Sequence, residues 1–366
     1  MKLLLTISLL ISSVLCAERA HGGTVLFWSG NGSTEGGTGT WDTTNPRWGT
    51  VQTGPYTTVW NNANKDEATF TGTAGTVTLA AGVTVSNLTC NGSGTYTIAA
   101  GNTVTLGTTS TTINCASLFI ISSDLVGSGL ITKSGGNTLS IGHTGTLSYS
   151  GKWKGAAGTL SMASDTRFGP VPGSVTADYL TLDGGILRCT TAGTNAFSIN
   201  RGLTLGSGGG TLNPSAASAT MQWASKITGS GKLTISTGTG ATVQLSNTGN
   251  DYTGNTAINS GAILQLIAAG VIPDASLVTV AGTFDLNNNN ETVKSISGAG
   301  SITLGTGTLT LANPAGETFS GAISETGKLV KNGTGMITLS GANSFTGSTT
   351  VNAGTLQLGV ANALAT

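Results

Sequence analysis

The feature that most constrains this chain is that it repeats itself. Residues 325–347 read ETGKLVKNGTGMITLSGANSFTG, and related phrasing recurs at 298–321 (GAGSITLGTGTLTLANPAGETFSG), 229–254 (GSGKLTISTGTGATVQLSNTGNDYTG) and 127–151 (GSGLITKSGGNTLSIGHTGTLSYSG). Each copy is a glycine turn, a short strand carrying Leu or Ile, a second glycine turn and an alternating strand. Those second strands hold Leu139/Ile141, Val243/Leu245, Leu309/Leu311 and Ile337/Leu339. An aromatic-hydroxyl-glycine triplet closes each copy: Tyr149-Ser150-Gly151, Tyr252-Thr253-Gly254, Phe319-Ser320-Gly321 and Phe345-Thr346-Gly347. The continuation repeats too, since 348–364 (STTVNAGTLQLGVANAL) matches 255–272 (NTAINSGAILQLIAAGVI), with a looser copy at 158–174. Self-similarity at such a period marks a repeat architecture, in which no unit buries its apolar face alone.

Within each copy apolar and polar residues alternate with a period of two, as in Thr355-Leu356-Gln357-Leu358. That is the pattern of a half-buried strand. Helical periodicity is absent after the N-terminal segment. A β-sandwich closes on itself within about 100 residues and needs no quasi-identical units. A parallel β-solenoid does need them, because each turn must stack on another at about 4.8 Å. Stacking also explains the composition. Only 8% of residues are charged, against about 25% in an ordinary soluble domain, because like charges stacked at that spacing would repel. Fifteen basic and fifteen acidic residues leave no net charge, so the chain has no electrostatic footprint for nucleic acid or an anionic membrane. At roughly 20–25 residues per turn the chain makes about 14–17 turns, a rod on the order of 70–80 Å long.

Residues 1–20 (MKLLLTISLLISSVLCAERA) read as a secretory signal peptide, with cleavage after Ala17 or Ala20. The apolar run from Leu3 to Leu15 is shorter than the ~20 residues a bilayer span takes, and no later stretch could cross as a helix. Residues 21–75 contain Trp28, Trp41, Trp48 and Trp60, four of the six tryptophans. They read as a cap shielding the open end of the solenoid. The competing reading is a set of exposed indole faces that stack on sugar rings. Residues 76–366 read as one continuous β-solenoid without a linker. If Cys16 leaves with the leader, Cys90, Cys115 and Cys189 remain. Cys90 (NLTC) and Cys115 (TINC) end two similar alternating runs, so a disulfide between stacked strands and a set of buried thiols are both open.

Catalytic chemistry finds thin material. Asp165-Thr166-Arg167 and Asp178, Asp183 and Arg188 are the best acids and bases for a lyase- or glycosidase-like β-helix. That alternative requires the carboxylates to converge, since catalytic pairs lie at most ~9.5 Å apart. His21 and His143 lack nucleophile and acid partners at a defined spacing. Lys133 and Lys331 hold matching places in two copies and read as strand-end residues that discourage edge pairing. The tract DLNNNNET (285–292) reads as a turn with an asparagine ladder, without the spaced acids of a calcium-binding repeat. No catalytic residue, cofactor site or metal ligand is assigned.

Gly333 to Gly359, GTGMITLSGANSFTGSTTVNAGTLQLG, resembles the autotransporter-associated β-strand repeat, also called the passenger-associated transport repeat. The copy ending at Gly254 is nearly as close. The resemblance covers 227–366 strongly and reaches back to about 127, and the Trp-rich start resembles that of such proteins. It implies an all-β, single-stranded right-handed parallel β-helix in a surface or extracellular adhesin-type protein, associated with the outer membrane of a Gram-negative-type bacterium. Its implied partners are host or matrix glycans or other surface proteins. Autotransporters finish with a membrane β-barrel. This sequence stops at LGVANALAT, which reads as truncation and leaves the mode of anchoring open.

Overall fold

A computed structural model describes residues 23–238, 240–361 and 363–364. The leader expected over 1–20, and His21, lie outside the described residues. The chain winds into a parallel β-solenoid of about 14 turns, with strands of two to seven residues. A turn lays short strands onto up to three faces. The first face is an eleven-stranded sheet that includes Val25–Trp28 and ends at Ile227–Gly229; the second has twelve strands, from Gly39–Trp41 to Ser295–Ser297. A third, seven-stranded sheet runs from Thr194–Phe197 to Ala322–Ser324. The only helical element among the described residues is a single 3-10 turn, Asp165–Phe168.

Register explains the core. On the second face Phe119, Leu139, Leu160, Leu187, Leu212, Ile235, Ile258 and Val280 pair one above the next. All eight are buried. Burying one such side chain is worth about 1.5–3 kcal/mol relative to exposure, and period two repeats the gain on each strand. Between the inward residues of this face stand Ser140, Arg188, Asn213, Thr234 and Thr279, none of them buried.

The closing glycine of each triplet has a steric rather than a conformational reason. A Cβ on Gly151, Gly254, Gly321 or Gly347 would lie 2.0, 2.2, 1.8 or 2.1 Å from the carbonyl oxygen of Gly129, Gly231, Gly300 or Gly327 in the turn below. The aromatic ring two residues earlier (Tyr149, Tyr252, Phe319 or Phe345) is buried in every copy. Tyr149 Oη donates to Gly129 O at 2.5 Å and Tyr252 Oη bonds Thr256 Oγ1 at 2.7 Å.

Lys133 and Lys331 differ from expectation in one respect. Their matching places do signal a structural role, but both side chains are fully buried rather than set along an edge. Lys133 Nζ donates to the carbonyls of Gly135, Asn137 and Ala157, and Lys331 Nζ to those of Asn332, Gly333 and Ala353. Each ammonium thus ties a turn to the one above it. Burial pushes the Lys133 pKa down.

At the N-terminal end the parallel pattern stops. Pro46–Gly49 pairs antiparallel with Val25–Trp28, and Thr58–Val59 pairs antiparallel with Pro46–Gly49. Trp28, Trp41, Trp48 and Trp60 gather there over Phe70 in a Trp-rich cap. Trp41 lies 4.8 Å from Trp48 and 4.7 Å from Trp60, edge to face, and Trp28 lies 5.1 Å from Trp48. Edge-to-face pairs of this kind add about 0.5–1.5 kcal/mol each beyond area burial.

Candidate interaction surfaces

The indole-platform reading fails. Trp28, Trp41, Trp48 and Trp60 are at most 1% exposed, so no ring face is offered to a sugar. They pack against one another over the end of the first described turn. Each acid of the enzyme alternative is held by a cation of its own. Asp178 pairs with Lys152 at 2.8 Å, Asp183 with Lys154 at 3.0 Å and Asp165 with Arg201 at 2.9 Å. The Lys152 ammonium pulls the Asp178 pKa down. The Gly208 N–H, then Lys154, does the same for Asp183. A general acid needs the opposite shift. Arg167 reaches the Gly145 carbonyl and Arg188 Nε donates to Asn213 Oδ1 at 3.1 Å. His143 sits half-exposed in a turn. No group of three or more His, Cys, Asp or Glu residues is placed to hold a metal ion among the described residues.

Arg201 was not legible as special. Its guanidinium is fully buried, 4.5 Å from the Tyr179 ring centroid, and donates through Nη2 to Gly169 O at 2.6 Å. It holds down the irregular excursion around Asp165–Phe168, the place where the looser copy departs from the repeat.

Cys90 and Cys115 are register partners on adjacent parallel strands of the first face, as their matched contexts suggest. Both are buried free thiols, and Cys90 Sγ lies 3.1 Å from Ser117 Oγ. Burial raises both thiol pKa values, that of Cys115 to about 12.

The asparagine tract forms a turn but not a ladder. Asn287 and Asn288 take positive φ angles of 49° and 68°. Asn289 Nδ2 donates to the carbonyls of Leu266, Leu286 and Asn287, while Asn288 and Asn290 accept from the N–H groups of Thr306 and Thr308. The ladder is of glutamines instead, on the third face. Gln222 Nε2 donates to Gln244 Oε1 (2.7 Å), Gln244 Nε2 to Gln265 Oε1 (2.5 Å) and Gln265 Nε2 to Asp285 Oδ2 (2.7 Å). The spacing of Gln222, Gln244, Gln265 and Asp285 in the sequence could have revealed it.

A second missed feature is the asparagine two residues ahead of the aromatic in two of the four triplets, at Asn250 and Asn343. Asn250 Oδ1 accepts from Ile227 N (2.7 Å) in the turn below, and its Nδ2 donates to Val271 O (2.9 Å) in the turn above. Asn343 repeats this, accepting from Ile323 N (2.8 Å) and donating to Ala363 O. Glu291 then closes on Val271 from the other side, accepting from the N–H groups of Val271 (3.0 Å) and Ile272 (3.1 Å).

The polar outer faces are not uniformly flat. On the first face a groove of about 490 Å3 opens between Glu67, Asn87, Thr89, Thr112, Asn114 and Ser134.

Comparison with known proteins bears on this architecture. Residues 329–358 match the model of the passenger-associated-transport-repeat family. The chain carries the passenger-associated transport repeat. The stapling Asn343 and the triplet Phe345-Thr346-Gly347 lie inside that match. The repeat chain is 33% identical over 273 residues, 71% of its length, to the adhesin BmaC autotransporter of Brucella suis biovar 1 (strain 1330). It is 39% identical over 92 residues, 24% of its length, to the uncharacterized protein YuaQ of Escherichia coli (strain K12). In each case the match spans 7% of the relative's length. No solved structure matches the chain.

Proposed function

We propose that the chain is part of the exported passenger of a Gram-negative-type bacterium, held at or released from the cell surface, where it acts as a non-catalytic adhesive rod. The observation that carries this reading is its 33% identity over 71% of the chain to an autotransporter adhesin. The solenoid supports it physically. Stacked turns give a long, stiff body with little charge, and the outward hydroxyl and carboxamide rows present hydrogen-bonding surface without a catalytic cluster. Export through the 1–20 leader, cleaved after Ala17 or Ala20, is part of the same proposal. The test is adherence of beads coated with the purified chain to host cells or extracellular matrix. Coated beads are expected to bind several-fold more than beads coated with an inert protein, and equal binding sinks the adhesive role. Mass spectrometry of the exported chain checks the leader.

A further inference from the structure

We infer that Cys90 and Cys115 are oxidised to a disulfide that staples two consecutive turns, and that this happens once the chain has left the cytoplasm. The second half rests on the export proposed above; the first half rests on register. Leu88–Cys90 and Ser110–Cys115 are adjacent parallel strands, and Cys90 stands opposite Cys115. Both side chains are fully buried on the inner side of the first face. Register partners on neighbouring strands lie about 4.8 Å apart, inside the range of about 4.4–6.8 Å that the Cα atoms of a disulfide span. The Cβ atoms of a disulfide sit about 3.5–4.5 Å apart, so the two rungs need to close by about 1 Å or less. Cys189 is the contrast within the same chain. It is equally buried, but its register partners are Met162 and Pro214. It has no thiol to bond and serves as a small apolar side chain.

The oxidant is a disulfide-bearing thiol oxidoreductase of the cell envelope. Each thiol gives up its proton, one sulfur–sulfur bond forms between Cys90 and Cys115, and the electron pair reduces the oxidant's own disulfide to two thiols. The exchange runs through a thiolate and a mixed disulfide, so it needs access to the sulfurs. The folded solenoid denies that access, and burial holds both thiol pKa values up. The bond is therefore made while the segment is still open, and after the turns close it is out of reach of reductants in solution. Its position gives it a mechanical role. Phe70, which packs against the indoles of the cap, is the register partner of Cys90. The bridge thus ties the turn under the cap to the next one. It also restricts a whole turn of the unfolded chain, which is how a disulfide stabilises.

In the experiment the full chain is refolded in a mixture of glutathione and glutathione disulfide, denatured, alkylated without reduction and digested with trypsin. No Lys or Arg lies between Lys65 and Lys133, so both cysteines fall on one peptide, 66–133, while Cys189 falls on 189–201 and Cys16 on 3–19. Peptide 66–133 is expected to be unalkylated and two hydrogens light, and to take two alkyl groups only after dithiothreitol. Peptide 189–201 is expected to be alkylated throughout. The oxidised chain should unfold on the order of 5 °C above the reduced one. Cys90→Ala and Cys115→Ala should each abolish that difference. The inference is overturned if 66–133 emerges doubly alkylated from the oxidising mixture, or if either variant keeps the full difference between oxidised and reduced chains. The chain produced with its own leader and recovered from the cell envelope should give the same light peptide; a doubly alkylated one overturns oxidation after export. Retention in the cytosol with peptide 3–19 intact removes the export reading instead, and the glutathione result still decides the bridge.

Discussion

In the first turns the interior is aromatic, and from residue 227 onward it is mostly aliphatic. Trp28, Trp41, Trp48 and Trp60 close over Phe70, whose ring leads on to Tyr96 and Phe119 at 5.4 and 5.6 Å. Beyond Ile227 the interior rows are Leu, Ile and Val, held in register by the Asn250 and Asn343 bridges and the Gln222–Gln244–Gln265 ladder. The difference teaches what a stacked turn needs. A middle turn is covered on both sides, so modest side chains in register suffice, and polar bridges fix the register. At the first described turn a cluster of indoles does the shielding that a neighbouring turn does elsewhere.

That contrast can be broken most severely from inside the regular region. Leu339→Asp places a carboxylate in the aliphatic interior and is expected to cost about 4 kcal/mol or more. Hydrogen exchange should show the turns near Leu339 opening while those near Trp48 stay protected; uniform protection would mean that Leu339 is not interior. Trp48→Ala attacks the other region, with an expected loss of about 3–5 kcal/mol and exchange rising first around 25–100.

A third test uses pH. Burial, opposed by the N–H groups of Val271 and Ile272, raises the Glu291 pKa from its ordinary 4.5 to about 7. A folded-state value above the unfolded one means that the protonated acid favours the fold. Its contribution is full below about 4.5 and is lost as pH rises through about 7, a change of about 3 kcal/mol. Urea unfolding of the parent should weaken across that window, and Glu291→Gln should flatten the dependence; an unchanged profile would refute the assignment. Asn250→Ala leaves the Ile227 N–H without its partner and should cost about 1–3 kcal/mol, read as a lower unfolding midpoint. Gln244→Ala breaks the outer ladder where water can replace it, with an expected loss of about 1 kcal/mol or less. A larger loss would place the ladder among the elements that hold the turns together.

Much of this organisation is legible in the residues. The alternation at Leu139/Ile141, Val243/Leu245 and Ile337/Leu339 identifies the inward rows, and the recurring triplets identify equivalent turns. The matching places of Lys133 and Lys331 point to structure rather than chemistry. Their inward direction is not legible, because a lysine at a strand end can face either way until carbonyls above and below are in place. Asn250 and Asn343 are visible in the repeated copies but carry no sign of what they bond, since their partners lie 20–23 residues away. The groove on the first face is the least legible element, because Asn87, Asn114 and Ser134 come from different turns.

The sequence alone determined that the chain stacks as strands, because period-two alternation inside a tandem repeat leaves each unit an apolar face that only a neighbouring copy can cover. The tertiary structure decided which polar groups are used up between turns and which stay open, and that the N-terminal indoles point inward rather than toward a ligand. Those outcomes depend on register between residues about twenty positions apart, and register is set by packing against the turn below, which no local pattern specifies.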